Sequence, residues 1–318
     1  MFRTLTHIRA ERPLTILGSS CISSFKPFAS LPTRKMASSS KTFPTFKDRG
    51  PSKSPTHFLC LPLHGSYYQT LPPAHVSLKR ALKQFTIDET DREPGLSEAD
   101  EKSVIPRDAF RPFDTLHLTL GVMTLSTKEE VENAISTLRD LDISQFLPPP
   151  PVAGGDRKVY VDLKGLEPFS NTQSNITNCN VLFVPPTDAS SSSQTRLLQF
   201  SESLRAYFIE KGILTPENRP LKLHATVINT VYCKRINPAL DSRNVGRRDR
   251  NSRQNRIQFD ATEVLEKYRG HVWVEGLEID RVQICRMGAK KGVEVVLDDG
   301  TTEVVGGGYE SVVDKLIE

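Results

Sequence analysis

No apolar run in this chain approaches the roughly 18 residues that a bilayer-crossing helix needs, so the sequence predicts no membrane-spanning segment. Cysteine is scarce and scattered. Cys21, Cys60, Cys179, Cys233 and Cys285 include no C-x-x-C pair, which argues against a zinc site or a dithiol redox centre. Such thiols suit a reducing compartment, where cysteine acts as a small buried hydrophobe. An excess of one charge is also missing: 42 Lys and Arg stand against 38 Asp and Glu, a net +4. That excess is too small to imply nucleic-acid binding by itself, so what matters is where the basic residues cluster. No G-x-S-x-G frame surrounds Ser190 to Ser193, so these serines form a loop and not a nucleophile elbow. The hydrophobic fraction of 37% is low enough to assign part of the chain to tails and loops.

What is present begins at residue 56. Residues 1–35 carry Arg3, Arg9, Arg12, Lys26, Arg34 and Lys35 against the single acid Glu11, the composition of a mitochondrial transit peptide. Met36, just downstream, offers a second start, in which case these residues are a leader. Residues 36–56 are rich in Ser, Lys and Pro and read as linker. The division is therefore a leader and linker over 1–55 and one domain over 56–318. Within the domain, Thr56 to Leu63 is an apolar run of strand type. Ala74 to Phe85 predicts an amphipathic helix opened by Pro72 and Pro73, with Val76, Leu78, Leu82 and Phe85 on its apolar side. Asp88 to Lys102 is a charged loop. Thr127 and Glu130 fit a capping box for the next helix, whose apolar positions are Val131, Ile135, Leu138 and Leu141.

Further along, strands are expected at Val159 to Leu163, Asn180 to Val184 and Leu221 to Ile228. Helices are expected at about Gln194 to Lys211 and at Phe259 to Tyr268. Trp273 to Ile284 and Val293 to Leu297 read as strands, and Ser311 to Ile317 as a closing helix. Interleaved helices and strands in this order give an α+β class. Asn175-Ile176-Thr177 fits a glycosylation sequon without any other sign of secretion. Gly306 to Gly308, ahead of the expected closing helix, reads as an anion-binding turn or, more simply, a flexible one.

The chemistry concentrates in a tripeptide pattern that occurs twice. His117-Leu118-Thr119 and His224-Ala225-Thr226 are both H-x-T, both embedded in aliphatic residues and both on expected strands. Residues i and i+2 of a strand share a face. Each motif therefore presents an imidazole beside a hydroxyl, with an apolar face behind. If the two strands meet at a shared cleft, one histidine can act as base while the other acts as acid. The threonine hydroxyls can donate to phosphoryl oxygens as charge develops there. The candidate site is thus His117, Thr119, His224 and Thr226, with no cofactor and no metal ligand called for, since neither motif has Cys, Asp or Glu at a zinc spacing.

Leu116 to Met123 and Lys222 to Val227 resemble the paired motifs of the two-histidine phosphoesterases. More closely, they are similar to the 2',5' RNA ligase-like domain of A-kinase anchor proteins, which subunit 1 of the activating signal cointegrator 1 complex shares. Thr56 to Leu63, Lys164 to Leu166, Val181 to Phe183 and Phe259 to Ala261 extend the resemblance over roughly 56–318. It implies a bilobal fold with two antiparallel sheets facing a central cleft and helices outside. It also implies RNA or nucleotide phosphodiesters as substrates: RNA ends, 2',5'-linked oligonucleotides or cyclic phosphates. The alternative it leaves open is a non-catalytic nucleotide- or RNA-binding subunit of a transcription coactivator or repair complex. The cointegrator subunit also has a KH domain, whose clamp is a G-x-x-G loop, and no G-x-x-G occurs in this chain.

Between Lys234 and Arg256 lie eight basic residues against Asp241 and Asp249. Directly after the second H-x-T, this segment could attract a phosphate backbone, and Lys234-Arg235 with Arg247-Arg248 resemble a split nuclear-import signal. A solvated loop is the plain reading. The expectation is a monomer, nuclear or cytoplasmic, or mitochondrial if residues 1–35 are a transit peptide, with protein-complex partners in the coactivator reading.

Overall fold

The structure is a computed structural model, described here over residues 54–65, 70–90, 104–150, 153–188, 195–233, 257–290, 292–296, 302–305 and 307–317. The leader, most of the charged loop from Asp88 to Lys102, Ser190 to Ser193 and the basic segment 234–256 lie outside the described residues.

The α+β class and its two antiparallel sheets are what is found. Strands β1 (His57–Pro62), β2 (His117–Met123), β3 (Tyr160–Lys164), β4 (Glu167–Pro168), β5 (Val181–Val184), β6 (Pro186–Asp188) and β7 (Ala225–Asn229) are followed by β8 (Val272–Glu278) and β9 (Arg281–Arg286). A hairpin, β10 (Val293–Val296) and β11 (Thr302–Val305), and then β12 (Ser311–Leu316) complete the set. The large sheet has seven strands in the order β12-β9-β1-β2-β7-β5-β4, and the small one runs β6-β3-β8. Helices α1 (Pro73–Thr90), α2 (Lys128–Asp140), α3 (Gln173–Thr177), α4 (Thr195–Glu210) and α5 (Thr262–Lys267) connect them.

Every residue of β1 is buried, as its continuous apolar run requires of a strand between two neighbours. In α1 the buried stripe is His75, Leu78, Leu82, Phe85 and Glu89, alternating steps of three and four. The expected Val76 falls off that stripe and is exposed, and His75 takes its place. The helix also runs past Phe85 to Thr90, because Glu89 is buried with a partner: Lys267 of α5 donates to it at 2.8 Å. The capping box of α2 is present in full. Thr127 Oγ1 accepts from the Glu130 amide at 3.1 Å, and the Glu130 carboxylate accepts from the Thr127 amide at 3.0 Å.

One expected element is of the wrong type. The segment expected to be a helix from Ser311 to Ile317 instead forms the edge strand β12 (Ser311–Leu316), paired antiparallel to β9 through Val313–Ile284 and Lys315–Val282. Seven residues are too few for an independently stable helix, and Val312 and Val313 are β-branched. Pairing also covers the edge of β9, whose residues are buried up to Cys285. Gly306 lies outside the described residues, and a strand and not a helix follows Gly307 and Gly308, so the reading of this run as an anion-binding helix start does not apply. Gly307 and Gly308 have φ of +95° and +86°, the left-handed turn that only glycine adopts without cost.

Among the described residues no helix is long and apolar enough to cross a membrane.

Candidate active site

Both H-x-T segments belong to the large sheet, side by side. β2 and β7 run antiparallel and pair at Leu118–Ala225, the middle residue of each motif. The antiparallel register around that pair sets His117 opposite Thr226 and Thr119 opposite His224. Directly opposite side chains stand about 4.5–5.5 Å apart at Cβ, so the four groups form a crosswise square on one face. His117, Thr119, His224 and Thr226 are all half-buried, while Leu118 and Ala225 between them are fully buried in the core. The core also takes Leu204 and Phe208 of α4.

Leu118–Ala225 is the register pair that joins β2 to β7. β7 turns to Phe110 and Arg111, whose amide donates to the Val227 carbonyl at 2.8 Å. The four groups thus lie at the end of the β2–β7 pairing, on a half-buried face of the sheet. His224 itself stands one residue ahead of β7, so the strand starts at Ala225 and not at Leu221 as expected.

The two imidazoles are held alike. His117 Nδ1 lies 2.7 Å from the Thr115 carbonyl, and His224 Nδ1 lies 2.8 Å from the Lys222 carbonyl. Each partner is the carbonyl two residues upstream. A carbonyl only accepts, so each Nδ1 carries the hydrogen and each Nε2 is left to act on other molecules. The duplication seen in the tripeptides therefore extends to the orienting hydrogen bond. Both imidazoles are held below the ordinary histidine range. His117 is lowered to about 4, chiefly by burial, with His224 and Arg111 adding to the effect and its hydrogen bond opposing it. His224 is lowered by burial and then by Lys222 and Arg219.

Sequence reasoning missed the aromatic frame. His117 lies against Phe58 and Tyr309, at ring-centroid distances of 4.9 and 5.2 Å. His224 lies against Phe169 and Phe183, at 4.9 and 5.6 Å. Phe58 and Phe183 fall inside expected strands, and their registers carry the signal: Phe183 pairs with Thr226, which puts its ring on the motif's face. Nothing in the sequence marks Phe169 or Tyr309. A recess beside His117 is also lined by His64, Thr115, Cys60 and Cys285. The two thiols, 225 residues apart in sequence, come together across β1 and β9 as free cysteines. Burial first, and then each other's proximity, pushes the Cys60 thiol well above its usual range, so it behaves as an inert core group.

Uncharacterized protein C15D4.13c of Schizosaccharomyces pombe is 25% identical over 224 residues, which are 70% of this chain and 86% of that protein. Among solved structures the chain is similar to Escherichia coli LigT complexed with 3'-AMP, at 14% identity and a TM-score of 0.38 over 83% of this chain and 98% of that one. It is also similar to TT0787 of Thermus thermophilus, at 15% identity and a TM-score of 0.39 over 82% and 97%. The family described as AKAP7 2'5' RNA ligase-like domain matches residues 55–294, and the chain belongs to that family of two-histidine phosphoesterases.

Proposed function

We propose that this protein is a phosphodiesterase for RNA ends or nucleotide phosphodiesters, including 2',5' linkages and 2',3'-cyclic phosphates, working through His117 and His224. The observation that carries the reading is the crosswise square in which two imidazoles, each locked through Nδ1, share a half-buried face of the sheet. In this reading His117 is the base and His224 the acid, both held below the ordinary histidine range chiefly by burial. His117 Nε2 takes the proton from a water or ribose hydroxyl as that oxygen bonds to phosphorus. His224 Nε2 donates a proton to the departing oxygen as its bond to phosphorus breaks. Thr119 and Thr226 donate hydrogen bonds to the non-bridging oxygens. One proton exchanged with water restores the pair.

No step calls on a divalent ion, so EDTA-treated protein is the right sample. It should turn over at least one of a 2',5'-linked dinucleotide, a 2',3'-cyclic nucleotide and an oligoribonucleotide 3' end. Activity lost in EDTA and restored by a divalent ion would replace the two-histidine mechanism with a metal-assisted one. Tight binding of all three without turnover would favour the binding-subunit reading.

A further inference from the structure

We infer that the recess beside His117 is a subsite for one ribose hydroxyl of the substrate, on the carbon next to the phosphate ester, and that Gln283 holds it there. This inference rests on the phosphodiester reading above. Register puts Gln283 on the motif face. Cys60 of β1 pairs with Thr119 on one side and with Gln283 of β9 on the other, and side chains directly opposite across an antiparallel pair share a face. One row therefore runs Gln283, Cys60, Thr119, at strand spacings of about 4.8 Å. Cys60 is short, so its thiol makes a low floor. Gln283 stands on one side of it, and the rings of His117 and Tyr309, 5.2 Å apart at their centroids, on the other. His64 closes the end: the Leu63 amide donates to the Leu116 carbonyl at 3.0 Å, which carries the β1–β2 pairing past Pro62. The recess measures about 10 Å³, room for a single water-sized oxygen and too little for a ring.

The lining says which oxygen belongs there. Phe58, Cys60 and Cys285 form a small apolar cluster with Tyr309 packed against it, and the Thr115 hydroxyl already donates to the Pro112 carbonyl at 2.7 Å. Gln283 is only 8% exposed. Its Oε1 has the Cys285 thiol, a weak donor, at 3.8 Å, and its NH2 group has no acceptor among the described residues. Buried amides are nearly always paired, so these unspent donors mark a place for a partner that arrives from outside the chain. A neutral amide both donates and accepts, which matches a hydroxyl. Location matches as well. With the phosphate over His117 and Thr119, the next position along the row toward Gln283 is the recess. On a ribose ester, the hydroxyl of the adjoining carbon is the one that reaches it. The subsite therefore favours ribose esters over their deoxy counterparts.

Calorimetry on the full chain tests this with two ligand pairs. Adenosine 3'-phosphate is compared with 2'-deoxyadenosine 3'-phosphate, and adenosine 2'-phosphate with 3'-deoxyadenosine 2'-phosphate. The members of each pair differ by the hydroxyl alone. Wild type should bind the hydroxylated member of at least one pair about 2- to 12-fold more tightly, the worth of one neutral hydrogen bond. In Gln283→Leu and Gln283→Met, which keep the bulk and remove the amide, that ratio should fall to one. Each ratio is taken within one protein, so a general loosening of the site moves both members together and leaves it unchanged. A ratio of one in wild type for both pairs would mean that water keeps the recess. An unchanged ratio in the variants would mean that another group reads the hydroxyl. Either result overturns the subsite while the phosphodiester reading stands. Wild type that binds none of the four ligands would remove that reading itself, and the subsite with it.

Discussion

His117 and His224 are each fixed by a hydrogen bond to the carbonyl two residues upstream, and each is pushed below the usual histidine range by burial. In the free protein near neutrality both are therefore uncharged, although the reaction needs one proton between them. That proton is taken up more readily as pH falls, so kcat/KM, which reports the free protein, should peak on the acid side of the ordinary histidine value of about 6.5. A bound phosphodiester anion stabilises the imidazolium, so the kcat profile should lie to the alkaline side of the kcat/KM profile. The two limbs belong to the coupled pair rather than to either residue. A kcat/KM maximum on the alkaline side of neutrality would contradict this assignment. Replacing either histidine with alanine should lower kcat by roughly 10²–10⁴-fold, the usual share of a positioned acid or base. The double variant should be little worse than either single one, because the two act as a unit. Thermal melts close to wild type would show that the fold survives, and a single variant with near wild-type kcat would remove that histidine from the mechanism.

At the scale of elements, local signals fared according to how many residues carried them. The α2 capping box was legible because two side chains and two amides satisfy one another within four residues. Thr127→Ala should cost about 1 kcal/mol, a fall in melting temperature of roughly 2–4 °C for a domain of this size. Thr127→Ser should restore it, and neither change should alter kcat, since α2 carries none of the site residues. Thr127→Ala melting with wild type would mean that the cap adds nothing to the fold. The closing segment went the other way. Seven residues with two adjacent valines fit a short helix or a strand equally well by pattern, and the choice fell to the unpaired edge of β9. The stripe of α1 begins one residue from its expected place for a related reason: His75 and Val76 compete for a position on it, and the steps to Leu78 and Leu82 admit only His75.

Across the whole molecule, all six histidines within the described residues have their pKa lowered, and burial is the largest cause in each. His64 and His117 are lowered to about 4. The sign follows from linkage. Between the unfolded value near 6.5 and these folded values, the unfolded chain binds more protons than the native one. Stability should therefore fall as pH drops through that window and level off below it, until carboxylates begin to titrate. Urea midpoints measured from neutrality down to pH 4 should trace this loss. His64→Gln and His117→Gln should each make the dependence shallower. Slopes identical to wild type in both variants would show that these two imidazoles are not the source.

By itself the sequence determined the class of fold, most of the strands and helices, and the four side chains of the candidate site. It could do so because a strand's period of two and a helix's 3.6 are local, and because H-x-T on a strand already sets its two groups on one face. Tertiary structure alone decided that the two motifs lie antiparallel as neighbours, with His117 across from Thr226 and Thr119 across from His224. It also brought Phe58, Tyr309, Phe169 and Phe183 around the imidazoles, and joined Cys60 to Cys285 in the wall beside them. Most of these groups lie far apart along the chain, Cys60 and Cys285 by 225 residues, and they meet through strand pairing. Register is fixed by which faces the whole sheet can bury at once, a condition that no single segment contains.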